Sequence, residues 1–294
     1  QWLVVIDEPP ANFETYVPTA RRVLFITEPP EVKVYPPSYL RQFGYVVSPY
    51  GIRGVASESL LQENSCLAWH LGVNTAGNAY TSVLKNLAEI RHLSMPEKKG
   101  IFSVICSTKT FTLAQRKRIT FVKKLQAHFG EVVDVYGRGH NPIPDKALAI
   151  LPYKYHLVLE NSYLENSWTE KLSDTWLGYT YPIYLGASNI ESCSPPGAML
   201  VLQPDNEEAN INAIAKLLQE DPWESSLPAL RKCRQVLETT NVFARIDRMI
   251  HGAGVHMGSQ PNLSHPVPLR QSSRWQRALL RRALRAGLYN PIAR

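Results

Sequence analysis

The sequence predicts an α/β protein with two domains, each built on a parallel β-sheet, and a C-terminal amphipathic helix. Short apolar runs alternate along the chain with segments whose apolar residues recur at helical spacing, a pattern typical of parallel strands joined by helical crossovers. A chain of 294 residues is long enough for two domains of ordinary size. The polar segment Met95–Gly100, which contains Pro and Gly, is the predicted linker.

We expect the first domain to span residues 1–97. Its short apolar runs are separated by Pro-rich turns and predict parallel strands at Trp2–Ile6, Val23–Ile26 and Tyr45–Val47. Apolar residues at helical spacing predict one helix in this domain, over Thr81–Leu93.

The second predicted domain spans residues 98–255 and alternates strands with helices, which predicts a doubly wound parallel sheet. The predicted strands are Ile101–Cys106, Val132–Tyr136, His156–Leu159, Pro182–Leu185 and Met199–Leu202. The predicted helices are Leu113–Phe129, Thr169–Gly178, Glu207–Leu218 and, as one or two helices, Leu227–His251. In such a sheet, ligands bind in the crevice beyond the carboxyl ends of the strands.

Residues 256–294 form a predicted connector and basic amphipathic tail. The net charge is +7, yet the segment after Asp247 holds eight arginines and no acidic residue, which leaves the first 247 residues at −1. Ser273–Leu288 is a predicted helix with Trp275 and leucines on one arc and arginines on the opposite arc. This composition favours contact with an anionic membrane surface. Docking on the body, or on another subunit of a homo-oligomer, is the alternative.

Several classes of protein and site are disfavoured. No run of about 18 apolar residues exists, so we expect no membrane-spanning helix. The four cysteines are widely separated, and neither they nor the histidines have the spacing of a metal site. We therefore expect free thiols, a cytoplasmic protein and no bound metal. Because the positive charge is confined to the tail and no aromatic platform accompanies it, we expect no nucleic-acid partner.

The segment Ser167–Lys171 is the first candidate site. It begins a predicted helix just beyond a buried strand, where free main-chain N–H groups and the helix dipole favour an anion such as a phosphate. Lys171 adds a positive charge, and Glu170 is able to accept hydrogen bonds from sugar or ribose hydroxyls. Ser167 and Glu170 also have the spacing of a capping box, which would explain both residues without any ligand.

The basic triplet Arg116–Arg118 is the second candidate site. It begins the helix that follows the first strand of the second domain, and the N-terminus of that helix faces the ligand crevice. An arginine there can bind two phosphate oxygens at once. A solvated basic turn is the alternative interpretation.

Segments of the second domain resemble, in order, the donor-domain signature of the α1,3/4-fucosyltransferases, the family 10 glycosyltransferases, and particularly their bacterial members. These segments are Asp134–Arg138 (DVYGR), Tyr153–Ser162 (YKYHLVLENS), Thr169–Lys171 (TEK) and Pro182–Ala187 (PIYLGA). The resemblance covers about residues 101–194. It implies a GT-B-like fold of two Rossmann-like domains facing a cleft. The implied reaction is inverting transfer of a sugar, L-fucose from GDP-fucose, to a hydroxyl of a glycan acceptor, with no cofactor beyond this co-substrate.

The resemblance also implies roles for single residues. Glu170 would contact the donor sugar or ribose and Lys171 the diphosphate, and Arg118, which fits an Arg-x-x-Phe-x-x-x-Leu pattern, would bind phosphate. The remaining predicted donor-binding residues are Glu160, Asn161, Ser162 and Thr169. Ser167 and Trp168 depart from the residues that the family often has before Thr-Glu-Lys, which leaves another donor, such as GDP-mannose or a UDP-sugar, open.

Inversion at an anomeric carbon requires a general base beside the acceptor hydroxyl. Family members place this carboxylate in the N-terminal domain, in some of them within a Phe-Glu-Ser-Pro segment, and Thr27–Pro30 (TEPP) resembles that segment. The resemblance therefore implies Glu28 as the catalytic base. Other carboxylates near predicted strand ends are its rivals, namely Asp7, Glu8 and Glu31.

Trp69 and His70 are candidate acceptor-side residues, because an indole stacks on sugars and an imidazole can assist at a hydroxyl. A packing role in the core is the alternative for both. Two functions of other classes remain open. One is a module that keeps the fold but only binds a glycan or a membrane, and the other is a nucleic-acid binder that acts through the arginine tail.

Overall fold

The computed structural model describes residues 1–65, 69–72, 74–76, 79–82, 89, 92–108, 113–240, 242–251 and 262–292. The strands are β1 (Leu3–Ile6), β2 (Phe13–Thr15), β3 (Arg22–Phe25), β4 (Tyr45–Ser48), β5 (Leu60–Gln62), β6 (Asn74–Ala76), β7 (Ala79–Ser82), β8 (Gly100–Ile105), β9 (Val133–Tyr136), β10 (Tyr153–Leu159), β11 (Tyr181–Leu185), β12 (Leu200–Val201) and β13 (Val267–Leu269). The α-helices are α1 (Pro37–Leu40), α2 (Leu113–Phe129), α3 (Ala147–Ile150), α4 (Glu170–Leu177), α5 (Glu207–Glu220), α6 (Trp223–Thr240), α7 (Val242–His251) and α8 (Arg274–Arg285).

The chain divides into two compact units whose segments are not continuous in sequence. The first unit comprises Gln1–Cys66, Leu164–Ser167 and Val242–Arg294, and the second comprises Leu67–Tyr163 and Trp168–Asn241. The expected divisions after residues 97 and 255 therefore differ from the division by contacts. Helix α7 belongs to the first unit because Val242 and Met249 pack against its sheet. Leu71 belongs to the second unit because it packs on α3 and α4.

The first unit contains a parallel sheet in the order β1-β3-β4-β5, which confirms the parallel strands predicted for this part of the chain. Strand β3 is buried along its whole length. Leu24 packs on one face of the sheet with Tyr39 of α1, whereas Val23 and Phe25 pack on the other face with α7. A strand that is covered on both faces reads as a continuous apolar run, which is why this segment was recognisable in the sequence.

The second unit contains a fully parallel sheet in the order β12-β11-β10-β8-β9. Leu157 and Ile183 face a layer that includes α2 and α5, and Val158 and Tyr184 face a layer that includes α4 and α6. Helices therefore cover both faces, and the predicted doubly wound α/β architecture is confirmed.

The strand order of the second unit places its ligand crevice. From β8 the chain moves outward to β9 on one side, and from β10 it moves outward to β11 and β12 on the other. The direction of winding thus reverses between β8 and β10. The carboxyl ends of these two strands, at Ile105 and Leu159, flank the position where doubly wound sheets bind ligands.

The helix predicted over Thr81–Leu93 is not supported at its start. Thr81 and Ser82 lie in β7, which pairs with β6 as an antiparallel hairpin. Residues 83–88, 90 and 91 lie outside the described residues. A helical spacing of apolar residues does not exclude a strand at its first positions. Strand boundaries depend on pairing with another segment, here β6, and the spacing of apolar residues carries no information about that pairing.

The C-terminal helix α8 packs against the rest of the first unit. Docking on the body was one of the alternatives for the tail. Arg277 donates a hydrogen bond to the Glu8 carboxylate, and Ser38 Oγ donates to Gln276 Oε1 at 2.9 Å. Ahead of the helix, β13 pairs with β2 as an antiparallel ribbon. No helix within the described ranges is long and apolar enough to cross a membrane.

Docking divides the apolar arc that the helical wheel of the tail predicts. Leu280 and Leu284 are half-buried on the docked side. Trp275 and Leu279 are instead exposed, at 71% and 52%, and Arg282 is exposed on the same helix. The outer surface of α8 therefore combines apolar and positively charged side chains.

The packing of β10 predicts the effect of a core truncation. Leu157 is 1% exposed in this central strand, and Leu157→Ala should lower the free energy of unfolding by about 2–5 kcal/mol because it leaves a cavity. Leu148→Ala is the matched control, because Leu148 is 53% exposed and its loss should change stability by less than about 0.5 kcal/mol. Urea denaturation followed by tryptophan fluorescence measures both. Equal effects of the two variants would contradict this assignment of the core.

Candidate functional site

Glu160 is a buried carboxylate at the carboxyl end of β10, with 2% of the residue exposed. It accepts hydrogen bonds from the main-chain N–H of Thr169 at 2.8 Å and from the Thr169 hydroxyl, and it lies 3.3 Å from the Lys171 ammonium. Gly186 lies against it, since a Cβ at that position would sit 2.6 Å from Glu160 Cγ. Glu160 therefore ties the end of β10 to the start of α4.

The start of helix α4 shows that Ser167 and Glu170 do not form a capping box, so that interpretation is wrong. Thr169 is the N-cap, and its hydroxyl accepts the main-chain N–H of Lys171 at 3.3 Å. The Ser167 hydroxyl instead donates to the carbonyl of Glu165. Glu170 is consequently the first residue of the helix, and its side chain turns toward other charged groups.

The Glu170 carboxylate lies among three nitrogen-bearing side chains. Its Oε1 is 3.0 Å from Lys146 Nζ, 3.8 Å from Lys171 Nζ and 3.7 Å from His70 Nδ1. Burial alone would favour the protonated acid, but the positive charges of Lys171 and Lys146 outweigh it and hold the pKa of Glu170 well below its usual range. Glu170 is therefore an ionised hydrogen-bond acceptor at neutral pH.

Lys171 lies between two carboxylates and still reaches the surface, with 29% of its side chain exposed. Its ammonium donates to the Thr169 hydroxyl at 3.0 Å and faces Glu160 and Glu170. Burial disfavours the charged form, but these two carboxylates outweigh it and raise the pKa of Lys171 above its usual value. A permanent positive charge thus stands at the N-terminus of α4, where the helix dipole also favours an anion.

Lys146 and Asp174 belong to this cluster although the sequence did not single them out. Asp174 is 0% exposed, and its Oδ1 accepts the main-chain N–H groups of His70 at 2.9 Å and Leu71 at 3.1 Å. Its Oδ2 lies 3.5 Å from Lys146 Nζ. Burial raises the pKa of Asp174 to about 6. The four-residue spacing of Asp174 from Glu170 places both on one helix face, a signal that would have found Asp174.

Arg118 reaches the carboxyl end of β10 from α2. Its guanidinium donates to Asn161 Oδ1 at 2.8 Å and to the carbonyl of Leu159 at 3.3 Å. Lys117, next to it, forms an exposed ion pair with Asp205 at 2.6 Å. Arg116 is exposed. Of the basic triplet, Arg118 is thus the residue that the structure turns toward the crevice, and Asn161 fixes its orientation.

The two candidate acceptor-side residues have different environments. Trp69 packs with Ile150 and Leu177 in an apolar cluster of the second unit, as the packing alternative proposed. The His70 side chain is 34% exposed beside Glu170. Burial lowers the pKa of His70 more than Glu170 raises it. His70 is therefore a neutral imidazole at the edge of the cluster at neutral pH.

Trp168, the position where the chain departs from the family pattern, is a packing residue. Its ring lies 6.2 Å from that of Trp176 in an edge-to-face arrangement, within an apolar cluster of α4 and α6. Ser162, predicted to bind the donor, is half-buried just beyond β10. The departure at Trp168 therefore fills the core behind α4.

Glu28 lies in the first unit, half-buried after β3, and its main-chain carbonyl accepts the Tyr50 hydroxyl at 2.9 Å. The following residues Pro29 and Pro30 are buried and restrict the backbone at this point. Glu31, a rival, is exposed. The environment of Glu28 thus combines a fixed backbone with a side chain that is neither fully buried nor fully exposed.

The other two rivals of Glu28 are engaged in the structure of the first unit. Asp7 accepts the main-chain N–H of Thr27 at 2.9 Å and also the hydroxyls of Thr27 and Tyr35. Glu8 accepts the main-chain N–H of Ser272 at 2.6 Å. Burial disfavours the ionised form of Glu8, but hydrogen bonds from Ser272 and the charge of Lys33 outweigh it and lower its pKa. Both carboxylates therefore serve to hold segments together.

Two observations concern metals and thiols. Among the residues that the structure describes, no group of three or more His, Cys, Asp or Glu side chains is arranged to hold a metal ion. Cys106, Cys193 and Cys233 are free thiols, and Cys66 lies outside the described residues.

Comparison with known proteins identifies the segment that carries this cluster. Residues 95–223 match the model of the C-terminal part of glycosyltransferase family 10 (fucosyltransferase). This segment is therefore similar to the C-terminal part of the family 10 glycosyltransferases. It contains Arg118, Glu160 and Thr169–Lys171, together with Lys146 and Asp174.

Two human relatives match over the same length. They are 4-galactosyl-N-acetylglucosaminide 3-alpha-L-fucosyltransferase and 3-galactosyl-N-acetylglucosaminide 4-alpha-L-fucosyltransferase of Homo sapiens. Each is 39% identical over 88 residues, which is 28% of this chain and 24% of the relative. The chain thus aligns with about a quarter of the length of these curated relatives.

The solved structures to which this chain is similar include those of an α1,3-fucosyltransferase. Its complex with GDP-fucose is 21% identical, with a TM-score of 0.47, and covers 76% of this chain and 68% of that one. Its complex with GDP is 19% identical, with a TM-score of 0.48, and covers 88% of this chain and 80% of that one.

The charge of Glu170 predicts a pH-dependent contribution to stability. Its pKa is lowered in the folded state, so its contribution is fully present above the unfolded value of 4.5 and is lost as the pH falls below that value. Glu170→Gln should lower the free energy of unfolding at pH 7 by about 1–3 kcal/mol, because hydrogen bonds to a charged group are lost. Urea denaturation at pH 7 and pH 4 measures this, and a difference from the wild type that does not shrink at pH 4 would contradict it.

Proposed function

We propose that this protein is an inverting fucosyltransferase that transfers L-fucose from GDP-fucose to a hydroxyl of a glycan acceptor. The observation that carries the proposal is the coincidence of two facts. Residues 95–223 match the family 10 model, and two cations of that segment, Arg118 and Lys171, lie near the carboxyl end of β10, where a doubly wound sheet binds ligands. The named relatives are fucosyltransferases, which supports L-fucose as the sugar.

Lys171 and Arg118 are the proposed partners of the donor diphosphate. The negative charge on a diphosphate increases as it leaves the anomeric carbon, and fixed cations stabilise that charge without reorganising. Lys171 offers an ammonium at a helix N-terminus, where the helix dipole adds to the attraction. Arg118 offers a guanidinium that Asn161 already orients.

Glu170 is the proposed acceptor of hydrogen bonds from hydroxyls of the donor. Its low pKa keeps it ionised, and charge-assisted hydrogen bonds from hydroxyls to a carboxylate are stronger than neutral ones. His70, beside it, has a neutral ring with one donor and one acceptor nitrogen. In this assignment Glu160 does not touch the donor but holds Thr169 and Lys171 in place.

Glu28 is the proposed general base. In the reaction, the acceptor oxygen bonds to the anomeric carbon as the bond from that carbon to the diphosphate breaks. The hydroxyl proton passes to the Glu28 carboxylate, and the electron pair of the broken bond leaves with GDP. Attack on the face opposite the diphosphate inverts the anomeric centre. Asp7 and Glu8 are the alternatives, and each accepts hydrogen bonds within the first unit.

The test of this function separates donor binding from chemistry. With GDP-fucose and a panel of glycan acceptors, the wild type should release GDP and form a fucosylated product. Lys171→Ala should lower kcat/KM by at least about a hundredfold, because one charged contact to the leaving group is lost. Glu28→Gln should abolish transfer but bind GDP-fucose as the wild type does in calorimetry.

Lys216→Ala is the control for these variants. Lys216 is 74% exposed and pairs only loosely with Glu220 on α5, at 3.8 Å. Full transfer activity in Lys171→Ala would remove the centre of the proposal. Tighter binding of UDP than of GDP by the wild type would contradict GDP-fucose as the donor and favour a UDP-sugar.

The outer surface of α8 supports a second element of the proposal, reversible contact with an anionic membrane on the cytoplasmic side. Trp275 and Leu279 are exposed apolar side chains on a helix that also exposes Arg274, Arg282 and Arg285. Aromatic side chains insert at the headgroup level of a bilayer, and each arginine near an anionic surface contributes roughly 1 kcal/mol. These residues remain accessible because they lie on the side of the helix opposite to the docked side.

Vesicle binding tests this element. The protein should cosediment with phosphatidylglycerol vesicles and much less with phosphatidylcholine vesicles. The double variant Trp275→Ala with Leu279→Ala should weaken binding on the order of tenfold, since apolar insertion is lost. Tyr16→Ala is the control, because Tyr16 is also exposed, at 52%, but lies elsewhere on the first unit. Equal binding by the double variant and the control would exclude α8 as the contact.

A further inference from the structure

One oxygen of Glu170 is shared unequally by the side chains around it. Lys146, Lys171 and His70 all approach Oε1, at 3.0, 3.8 and 3.7 Å respectively. Of these three, Lys146 alone lies within hydrogen-bond distance. Lys171, which the donor needs, is therefore the weaker of the two lysine partners of Glu170.

The position of Lys146 is fixed from two sides. Asp145, its neighbour, accepts the main-chain N–H of Ala147 at 2.7 Å and that of Gly72 at 3.1 Å, which anchors the start of α3. On the other side lies the wholly buried carboxylate of Asp174, 3.5 Å from the Lys146 ammonium. Lys146 is thus held between Glu170 and Asp174.

We infer that Lys146 is a positioning residue of the proposed donor site, which holds the Glu170 carboxylate and so leaves the Lys171 ammonium with one close carboxylate partner, Glu160, instead of two. Nothing in this role requires Lys146 to touch the donor. The inference rests on the proposed function for its ligand, a nucleoside diphosphate sugar. Its geometric content, the competition between two lysines for one oxygen, does not depend on that function.

Loss of Lys146 has a definite consequence. Glu170 then has Lys171 as its nearest ammonium, and two opposite charges in a partly buried site attract strongly. The Lys171 ammonium, which already lies 3.3 Å from Glu160, then pairs with a second carboxylate, and the cluster as a whole becomes more negative. Both changes weaken the binding of a diphosphate.

Loss of the Asp174 charge should have the opposite effect on donor affinity. The carboxyl group, with a pKa of about 6, is mostly ionised at pH 7.5. Asp174→Asn therefore removes one negative charge from the cluster but retains a side-chain oxygen that can accept the N–H groups of His70 and Leu71. A cluster that is less negative should bind the donor more tightly.

The experiment compares Lys146→Met, Lys146→Arg and Asp174→Asn with the wild type at pH 7.5. Calorimetry gives the affinity for GDP-fucose, and steady-state kinetics give KM and kcat. We expect Lys146→Met to weaken donor affinity and raise KM on the order of tenfold with a smaller change in kcat, since one charge is lost near the site. Lys146→Arg should restore most of the affinity, and Asp174→Asn should strengthen it several-fold. Lys216→Met, on the exposed face of α5, should match the wild type.

Three results would overturn the inference. The first is unchanged donor affinity in Lys146→Met. The second is an equal loss in Lys146→Met and Lys146→Arg together with a lowered melting temperature, which would make Lys146 a structural residue. The third is weakened donor affinity in Asp174→Asn, which would contradict the charge argument.

A crystal structure of Lys146→Met tests the inference without any donor. The distance from Glu170 Oε1 to Lys171 Nζ should shorten from 3.8 Å to within about 3 Å. A distance that stays at 3.8 Å would overturn the positioning role even in an active enzyme. Absence of GDP-fucose binding in the wild type would instead refute the proposed function, so the two failures are distinguishable.

Discussion

The candidate site depends on the burial of one carboxylate, Glu160. A buried charge is tolerated only where hydrogen bonds and an opposite charge compensate for lost hydration. Thr169 supplies a main-chain N–H and a hydroxyl, and Lys171 supplies the positive charge. These partners fix the residue types at the start of α4, because the cap must carry a hydroxyl and the second helical residue must carry an ammonium. The end of β10 thereby sets the position of the helix start.

Charge balance extends this constraint to the rest of the cluster. Glu160, Glu170 and Asp174 face Lys146 and Lys171, so the cluster carries one excess negative charge when every carboxyl group is ionised. Burial raises the pKa of Asp174 toward neutrality and limits that excess. A diphosphate next to such a cluster gains little from net charge alone. A diphosphate bound as proposed would depend on cations placed beside it, so Arg118 and the dipole of α4 matter to the proposal as much as Lys171 does.

Sequence reasoning found the parts of the site that local patterns encode. The end of β10, the helices α2 and α4 and the Thr-Glu-Lys triplet follow from apolar spacing and from a motif, and the structure contains these parts of the site. Ser167 has the spacing of a capping box, but the capping-box interpretation was wrong. The carboxylate of Glu160, nine residues upstream, binds Thr169 and makes Thr169 the N-cap. Lys146 was missed for a related reason. It precedes a single-turn helix, and no periodicity links that loop to α4, so only the tertiary fold brings Lys146 to Glu170.

The first unit shows how the fold selects among similar carboxylates. Glu8 follows β1 and binds Ser272 and Arg277 of the tail, so the docking of α8 adds two partners to a carboxylate that Lys33 also faces at 3.2 Å. A truncation that removes the tail would therefore disturb the sheet edge near Glu28 as well as any membrane contact. Loss of activity in such a truncation would report on both at once. Substitution of Trp275 on the outer surface leaves the contacts of Glu8 intact, and for that reason it isolates the role of the exposed face.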